Sequence, residues 1–125
     1  MTESDQPLRP LEFIGSSRKD LIAFPEKARQ DVGHALFLAQ KGERAPSTKI
    51  LRGFGGAGVL EIVEDHDGDT YRCVYAVRLQ HAIYVLHAFK KKSKRGAETP
   101  KHDMDLIRSR LREAEEQDRA TNNLS

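Results

Sequence analysis

Residues 82–94, AIYVLHAFKKKSK, combine a strong strand pattern with a dense run of cations. The two alternating sets in this stretch are both largely apolar, with Ile83, Val85 and His87 in one and Tyr84, Leu86 and Ala88 in the other. Apolar residues on both faces predict a central strand that is covered on each side. Because a buried strand is rigid, it holds the cations that follow it in a fixed place, and a polyanion is their expected partner.

The composition is that of one globular domain. The chain has 125 residues, of which 32% are charged and 38% are hydrophobic, a length and balance sufficient for a single core. Cys73 is the only cysteine, so we expect no disulfide and a reducing compartment. The polar N-terminus lacks the apolar segment of a signal peptide, and no later run is long enough to span a membrane. We therefore expect a cytoplasmic protein.

The order of predicted elements defines the fold class. A strand at residues 11–14 precedes two helices that Pro25 separates. In the second helix, apolar residues recur at helical spacing: Ala28, Val32, Ala35, Leu36 and Ala39. Residues 46–58 form a glycine-rich loop. Three antiparallel strands follow at 59–64, 70–77 and 82–89, and Thr99 and Pro100 open a last helix. This order predicts an α+β fold with its helices on one face of the sheet and the other face open. We predict a flexible leader at 1–9, the domain at 10–115 and a flexible tail at 116–125.

Polar residues on the predicted strands converge on the open face. Tyr71, Cys73 and Tyr75 share one side of their strand, and this bulky set suits the helix-covered face. Arg72 then lies on the opposite face, where Glu61 of the neighbouring strand can join it. Arginine binds phosphate through two hydrogen bonds, lysine offers it a point charge, and a carboxylate or imidazole can move a proton.

These residue types suit cleavage of an RNA backbone. The reaction must deprotonate the 2′-hydroxyl, stabilise the charge on the phosphorane and protonate the leaving 5′-oxygen. Clustered lysines and arginines supply the second requirement by electrostatic preorganisation. The five histidines and single cysteine show no ligand spacing such as CxxC or HxxxH, so we expect no metal and no other cofactor.

Four short motifs occur in a specific order: K-x-L-x-G-F at 49–54, G-x-L-E at 58–61, Y-R-x-x-Y at 71–75 and L-H-x-F-x-K-K-S at 86–93. Together they resemble the phage-derived HigB-type branch of the RelE/ParE toxin superfamily over residues 11–112. The resemblance implies a RelE-like fold and a type II toxin whose relatives cut mRNA on the translating ribosome. It also implies a helix-turn-helix antitoxin as partner, with oligomers formed only through that antitoxin.

The resemblance also implies the site. By position, the basic residues that match the active face of the family are Lys49, Arg52, Arg72, Lys91 and Lys92. We predict that Arg72, Lys91 and Lys92 are catalytic, and that Lys49, Arg52, Lys90 and Lys94 bind RNA. Glu61 and His87 are auxiliary candidates.

One departure from the family keeps a second hypothesis open. Many HigB-type relatives read E-L-R where this chain has Glu61, Ile62 and Val63, so Val63 replaces a second strand arginine. The alternative is therefore a member without nuclease activity, either a gyrase-type poison or a degenerate protein that only binds its antitoxin. In the plain structural interpretation, Arg72 is simply an ion-pair partner of Glu61, and His87 is a strand histidine.

Overall fold

The predicted antiparallel meander forms the centre of the sheet. The computed structural model describes residues 7–92 and 98–124. Its sheet has five strands, numbered in chain order, which lie side by side in the order β1-β5-β4-β3-β2. The strands are β1 (Leu11–Phe13), β2 (Thr48–Ile50), β3 (Val59–His66), β4 (Asp69–Ala76) and β5 (Ile83–Lys92). β1 runs parallel to β5, and the other neighbours are antiparallel. The α+β class is confirmed, and the mixed sheet is compatible with a RelE-like fold.

The strand β2 corrects the prediction of a loop over residues 46–58. Thr48, Lys49 and Ile50 pair with Ile62, Glu61 and Leu60 of β3. β2 lies at an edge of the sheet and has three residues, too few to show a hydrophobic alternation. Its pairing places Lys49 directly beside Glu61.

Two helices cover one face of the sheet, as predicted. They are α1 (Ser17–Ile22) and α2 (Glu26–Gln40), and Pro25 separates them at the N-cap of α2. The apolar stripe predicted for the second helix is buried, and its members are Ala28, Val32, Ala35, Leu36 and Ala39. This stripe belongs to one hydrophobic cluster with Tyr71, Cys73 and Tyr75 of β4. The predicted orientation of β4 is therefore confirmed.

A third helix covers much of the second face, which we had predicted to be open. This helix, α3 (Lys101–Leu124), begins after Pro100, as predicted. Its buried residues Ile107, Leu111 and Ala114 form a second cluster with Val74 and Ala76 of β4, among others. The apolar stripe of α3 requires a sheet surface to cover it, so this face is not open as predicted.

The far end of α3 is fixed to the turn between β4 and β5. The Asp118 carboxylate accepts hydrogen bonds from the backbone amides of Gln80 (2.9 Å) and His81 (2.8 Å) and from the Tyr84 hydroxyl (3.0 Å). The helix thus continues through residues 116–124, where the sequence predicted a tail. Residues 1–6 of the predicted leader lie outside the described residues. Arg9 donates hydrogen bonds to three carbonyl oxygens of the same turn region, those of Val77, Leu79 and Ala82.

A β-bulge in β5 changes the face on which its second half lies. Tyr75 pairs with Val85, whereas Val74 pairs with His87, so Leu86 is an extra residue on β5. The simple alternation predicted for this strand is therefore wrong beyond Leu86. His87, Phe89 and Lys91 lie on the face that α3 covers, and Ala88 and Lys90 lie on the other. Within the described ranges, no helix is long and apolar enough to cross a membrane.

Candidate functional site

A cavity of about 780 Å³ opens where the N-terminus of α3 meets β2 and β3. It lies on the sheet face that α3 only partly covers. Its lining contains both cations and carboxylates, with an apolar wall: Lys49, Ile50, Leu51, Arg52, Glu61, Glu98, Thr99 and Met104. Two of the predicted RNA-binding residues, Lys49 and Arg52, therefore share one cavity with Glu61.

Glu61 is the centre of a polar cluster. Its Oε1 lies 3.2 Å from Nη1 of Arg72 and 3.8 Å from Nζ of Lys49, and its Oε2 accepts a 2.9 Å hydrogen bond from the Thr99 hydroxyl. The strand register explains the first two contacts. Lys49 pairs directly with Glu61, and Arg72 lies two pairs further along β4 and therefore on the same face. Thr99 comes from the segment before α3, which closes over the carboxylate.

Burial divides the cations of this cluster into two groups. The Glu61 side chain has 0% exposure and that of Arg72 has 7%, whereas that of Lys49 is 57% exposed. Arg52 is also exposed. A polyanion that approaches from solvent therefore meets Lys49 and Arg52 first. The ion pair with Glu61 that the plain structural interpretation assigns to Arg72 is present.

Lys91 lies at the edge of the same cavity, and Lys90 does not. Lys91 pairs with Thr70 in the sheet, and its Nζ donates a 2.9 Å hydrogen bond to the carbonyl oxygen of Glu98, a lining residue. Lys90 pairs with Tyr71 on the opposite face, and its Nζ lies 3.8 Å from Oδ2 of Asp69. Lys91, predicted to be catalytic, therefore lies at the cavity, whereas Lys90, predicted to bind RNA, lies on the opposite face of the sheet.

The structure describes less of the other two predicted lysines, Lys92 and Lys94. Lys92 ends β5, where its backbone pairs with Asp69, and its side chain falls outside the part of the chain that the structure describes. Lys94 lies in residues 93–97, which are also outside it.

His87 is part of a separate pair beside the cavity. Its Nε2 lies 2.7 Å from Oδ1 of Asp103, and its ring stacks on Phe89 with centroids 4.6 Å apart. The side chain is 9% exposed, and Val74 lies between it and Glu61 in the sheet. The pair connects the first turn of α3 to β5, so His87 supports the cavity wall and does not line the cavity.

Sequence reasoning missed Thr99, Asp103 and Met104 as contributors to this region. The sequence indicated Thr99 only as a helix start and indicated no role for Asp103. Thr99 and Asp103 instead bond residues of β3 and β5. The Thr99 and Pro100 signal located the start of α3 but contained no information about what that start contacts.

Cys73 belongs to the opposite side of the sheet. It is completely buried in the cluster under α1 and α2. Burial, together with the charge of Glu61, raises the pKa of its thiol to about 12, so the residue is suited to packing and not to nucleophilic chemistry. Among residues 7–92 and 98–124, no group of three or more His, Cys, Asp or Glu side chains is arranged to hold a metal ion.

Comparison with known proteins supports the resemblance at the level of the family. The family model described as "Phage derived protein Gp49-like (DUF891)" matches residues 19–112, a segment that contains every residue of the cavity. No curated protein and no solved structure gave a significant match. Because the matched segment covers well over half of the chain, the protein belongs to the Gp49-like family of phage-derived proteins, a family of RelE/ParE-like toxins.

Proposed function

We propose that this protein is a HigB-type toxin of a type II toxin–antitoxin system and acts as a ribosome-dependent endoribonuclease that cuts mRNA without a metal ion. Family membership supports the toxin assignment. The observation that supports the chemistry is the placement of Glu61 between Arg72 and Lys49 in a cavity of about 780 Å³. Its partners in this proposal are mRNA on the ribosome and a helix-turn-helix antitoxin.

The proposed reaction is transfer of the phosphate within the RNA chain. The 2′-oxygen attacks the adjacent phosphorus, the bond to the 5′-oxygen breaks, and the products are a 2′,3′-cyclic phosphate and a 5′-hydroxyl. Oε2 of Glu61 now accepts a hydrogen bond from the Thr99 hydroxyl. In the proposed complex, the substrate 2′-hydroxyl replaces that donor and transfers its proton to Glu61.

The cations have distinct proposed roles. Lys49 and Arg52 bind the backbone phosphates, since both line the cavity and face solvent. Arg72 and Lys91 stabilise the negative charge that develops on the phosphorane. A lysine returns a proton to the leaving 5′-oxygen, and Lys91 and Lys92, both predicted to be catalytic, are the candidates for this step.

The test is expression in a bacterium without the antitoxin, with growth and mRNA 5′ ends followed together. We expect growth arrest accompanied by new mRNA ends in frame with translation. Lys91→Ala should relieve the arrest, whereas Lys90→Ala should not, because Lys90 points to the opposite face of the sheet. Equal relief by both changes, at equal protein levels, would contradict the site.

Arg72→Ala is not a sufficient test by itself. Arg72 is buried beside Glu61, so its removal also affects folding. Lys49→Ala is more informative, because the Lys49 side chain is 57% exposed and its loss should weaken RNA binding while the fold is retained.

Val63 favours the alternative of a member that is not a nuclease. Val63 pairs directly with Arg72 in the sheet, so the arginine of many HigB-type relatives would lie beside Arg72. In its absence, the cluster around Glu61 has one fewer cation. Growth arrest with intact mRNA and damaged DNA would identify a gyrase-type poison. Soluble expression without arrest would identify a protein that only binds its antitoxin.

A further inference from the structure

A cation and an aromatic ring are in contact next to the cavity. The guanidinium carbon of Arg108, on α3, lies 5.4 Å from the centroid of the Phe54 ring. This distance is in the range of an attractive cation–π interaction. Phe54 is partly buried against the second hydrophobic cluster, so the ring provides a fixed support on which the guanidinium rests.

Gly53 brings this pair close to the cavity wall. A Cβ atom at Gly53 would lie 3.4 Å from Nη2 of Arg108 and 3.5 Å from Cε of Met104. Met104 lines the cavity, as does Arg52, which precedes Gly53 in the chain. The Arg108–Phe54 pair therefore lies at the border of the cavity, on the side where Arg52 projects.

Arg108 is accessible to a ligand. Its side chain is 44% exposed, and the nearby carboxylate of Asp105 lies 3.6 Å away with 55% exposure. An ion pair between exposed side chains is weak and exchanges readily with solvent. The guanidinium can therefore present a planar surface to a ligand while Phe54 supports it.

We propose that Arg108, supported by Phe54, is a stacking platform for one unpaired nucleobase of the RNA strand whose phosphates lie along Lys49 and Arg52. The inference rests on the proposed function and adds a base-binding subsite to it. Nucleobases stack on guanidinium planes and aromatic rings in complexes of single-stranded RNA. A duplex cannot use this subsite, because its bases are already stacked within the helix.

The experiment measures, by fluorescence anisotropy of the labelled full-length protein, its binding to ribosomes programmed with a short, uncleavable 2′-O-methyl mRNA. Each nucleotide is replaced in turn by an abasic one. We expect one position at which removal of the base weakens binding about tenfold, as for the loss of one stacked base. In Arg108→Ala, that position should lose its sensitivity. Arg108→Lys keeps the positive charge but lacks the planar guanidinium, so this variant should lose the sensitivity as Arg108→Ala does.

Arg112→Ala is the matched control. Arg112 lies one turn further along α3, is exposed and has the same charge, so its removal should leave the abasic sensitivity unchanged. The proposal is overturned if Arg108→Ala retains the sensitivity of the wild type, or if Arg112→Ala removes it equally. Wild-type protein that binds the mRNA-programmed ribosome with no sensitive position overturns only the stacking subsite. Wild-type protein that does not bind the programmed ribosome overturns the proposed function as well.

Discussion

Glu61 and Arg72 lie 3.2 Å apart, between Oε1 and Nη1, with both side chains almost completely buried. A buried pair of this kind is costly to break from one side, because the remaining charge stays in the protein interior. We expect Glu61→Leu to lower the free energy of unfolding by about 3 kcal/mol. The double variant with Arg72→Met should be less destabilised than the sum of the two single variants. Urea denaturation of the four proteins measures this coupling.

The exposed pair Lys27 and Asp31 is the control for that cycle. Their charged groups lie only 2.8 Å apart, but the side chains are 69% and 37% exposed. We expect a much smaller coupling there, because solvent screens the interaction. If the two cycles give equal couplings, the Glu61–Arg72 pair does not have the buried character described above.

A second prediction concerns the end of α3. Asp118 accepts two backbone amides and the Tyr84 hydroxyl. Burial alone would raise the pKa of this carboxyl, but the hydrogen bonds from Gln80, His81 and Tyr84 outweigh it, and the pKa lies below its usual value. Asp118→Asn should lower the free energy of unfolding near neutral pH by about 2 kcal/mol, since it weakens charge-assisted hydrogen bonds.

The lowered pKa of Asp118 makes the stability of the folded protein depend on pH. Because the folded-state pKa is lowered, the stabilisation by Asp118 is complete above the unfolded value of about 4 and is lost as the pH falls through the folded value. The stability of wild-type protein should thus decrease more steeply in acid than that of Asp118→Asn. Glu116→Gln on the same helix is the control, because Glu116 is exposed. Parallel pH profiles for wild type and Asp118→Asn would contradict the prediction.

A third prediction concerns the reactivity of Cys73. The thiol is buried, and its pKa is raised to about 12, so little thiolate forms near neutral pH. A thiol reagent should therefore label native protein only at the rate at which the structure opens. In urea, labelling should be rapid and complete. Rapid labelling of the native protein would show that the core around Cys73 is accessible.

A fourth prediction compares two glycines. An alanine Cβ at Gly33, in α2, would meet no atom within 4 Å, so Gly33→Ala should stabilise the protein by about 0.5–1 kcal/mol through helix propensity. Gly15 has a φ of +58°, and a Cβ there would lie 2.7 Å from Nε of Arg110. Gly15→Ala should instead be destabilising. Thermal unfolding of both variants tests the contrast, and changes of the same sign would contradict it.

The spacing of apolar residues in the sequence predicted the elements in which one face is buried at a regular period. The stripe of α2 and the two faces of β4 follow from helical and strand periodicity, and both are confirmed. Two features depend on partners far away in the chain. β2 exists because residues 48–50 pair with β3. The second face of the sheet is covered because the amphipathic α3 returns across it.

The candidate site shows the same difference between features that follow from local sequence and features that depend on distant parts of the chain. The sequence indicated the right residue types and the contact of Glu61 with Arg72. It did not indicate that Thr99 would bond Glu61, or that Asp103 would bond His87, because both contacts form only when α3 packs on the sheet. Which of the adjacent residues Lys90 and Lys91 lies on the cavity face depended on one unpaired residue in β5, for which the sequence carried no signal.

That unpaired residue, Leu86, has a consequence for how this site can change over time. Successive side chains of a strand lie alternately on the two faces of the sheet. The bulge reverses this assignment for every later residue of β5. Loss of the bulge with Leu86 retained, or deletion of a residue between the bulge and the lysines, would place Lys90 or Lys92 opposite Thr70, where Lys91 lies now, whereas deletion of Leu86 itself would leave Lys91 in place. The lysine run could supply a replacement cation on either face. An insertion or deletion of one codon could therefore reorient the cationic end of the strand without removing any of its charge.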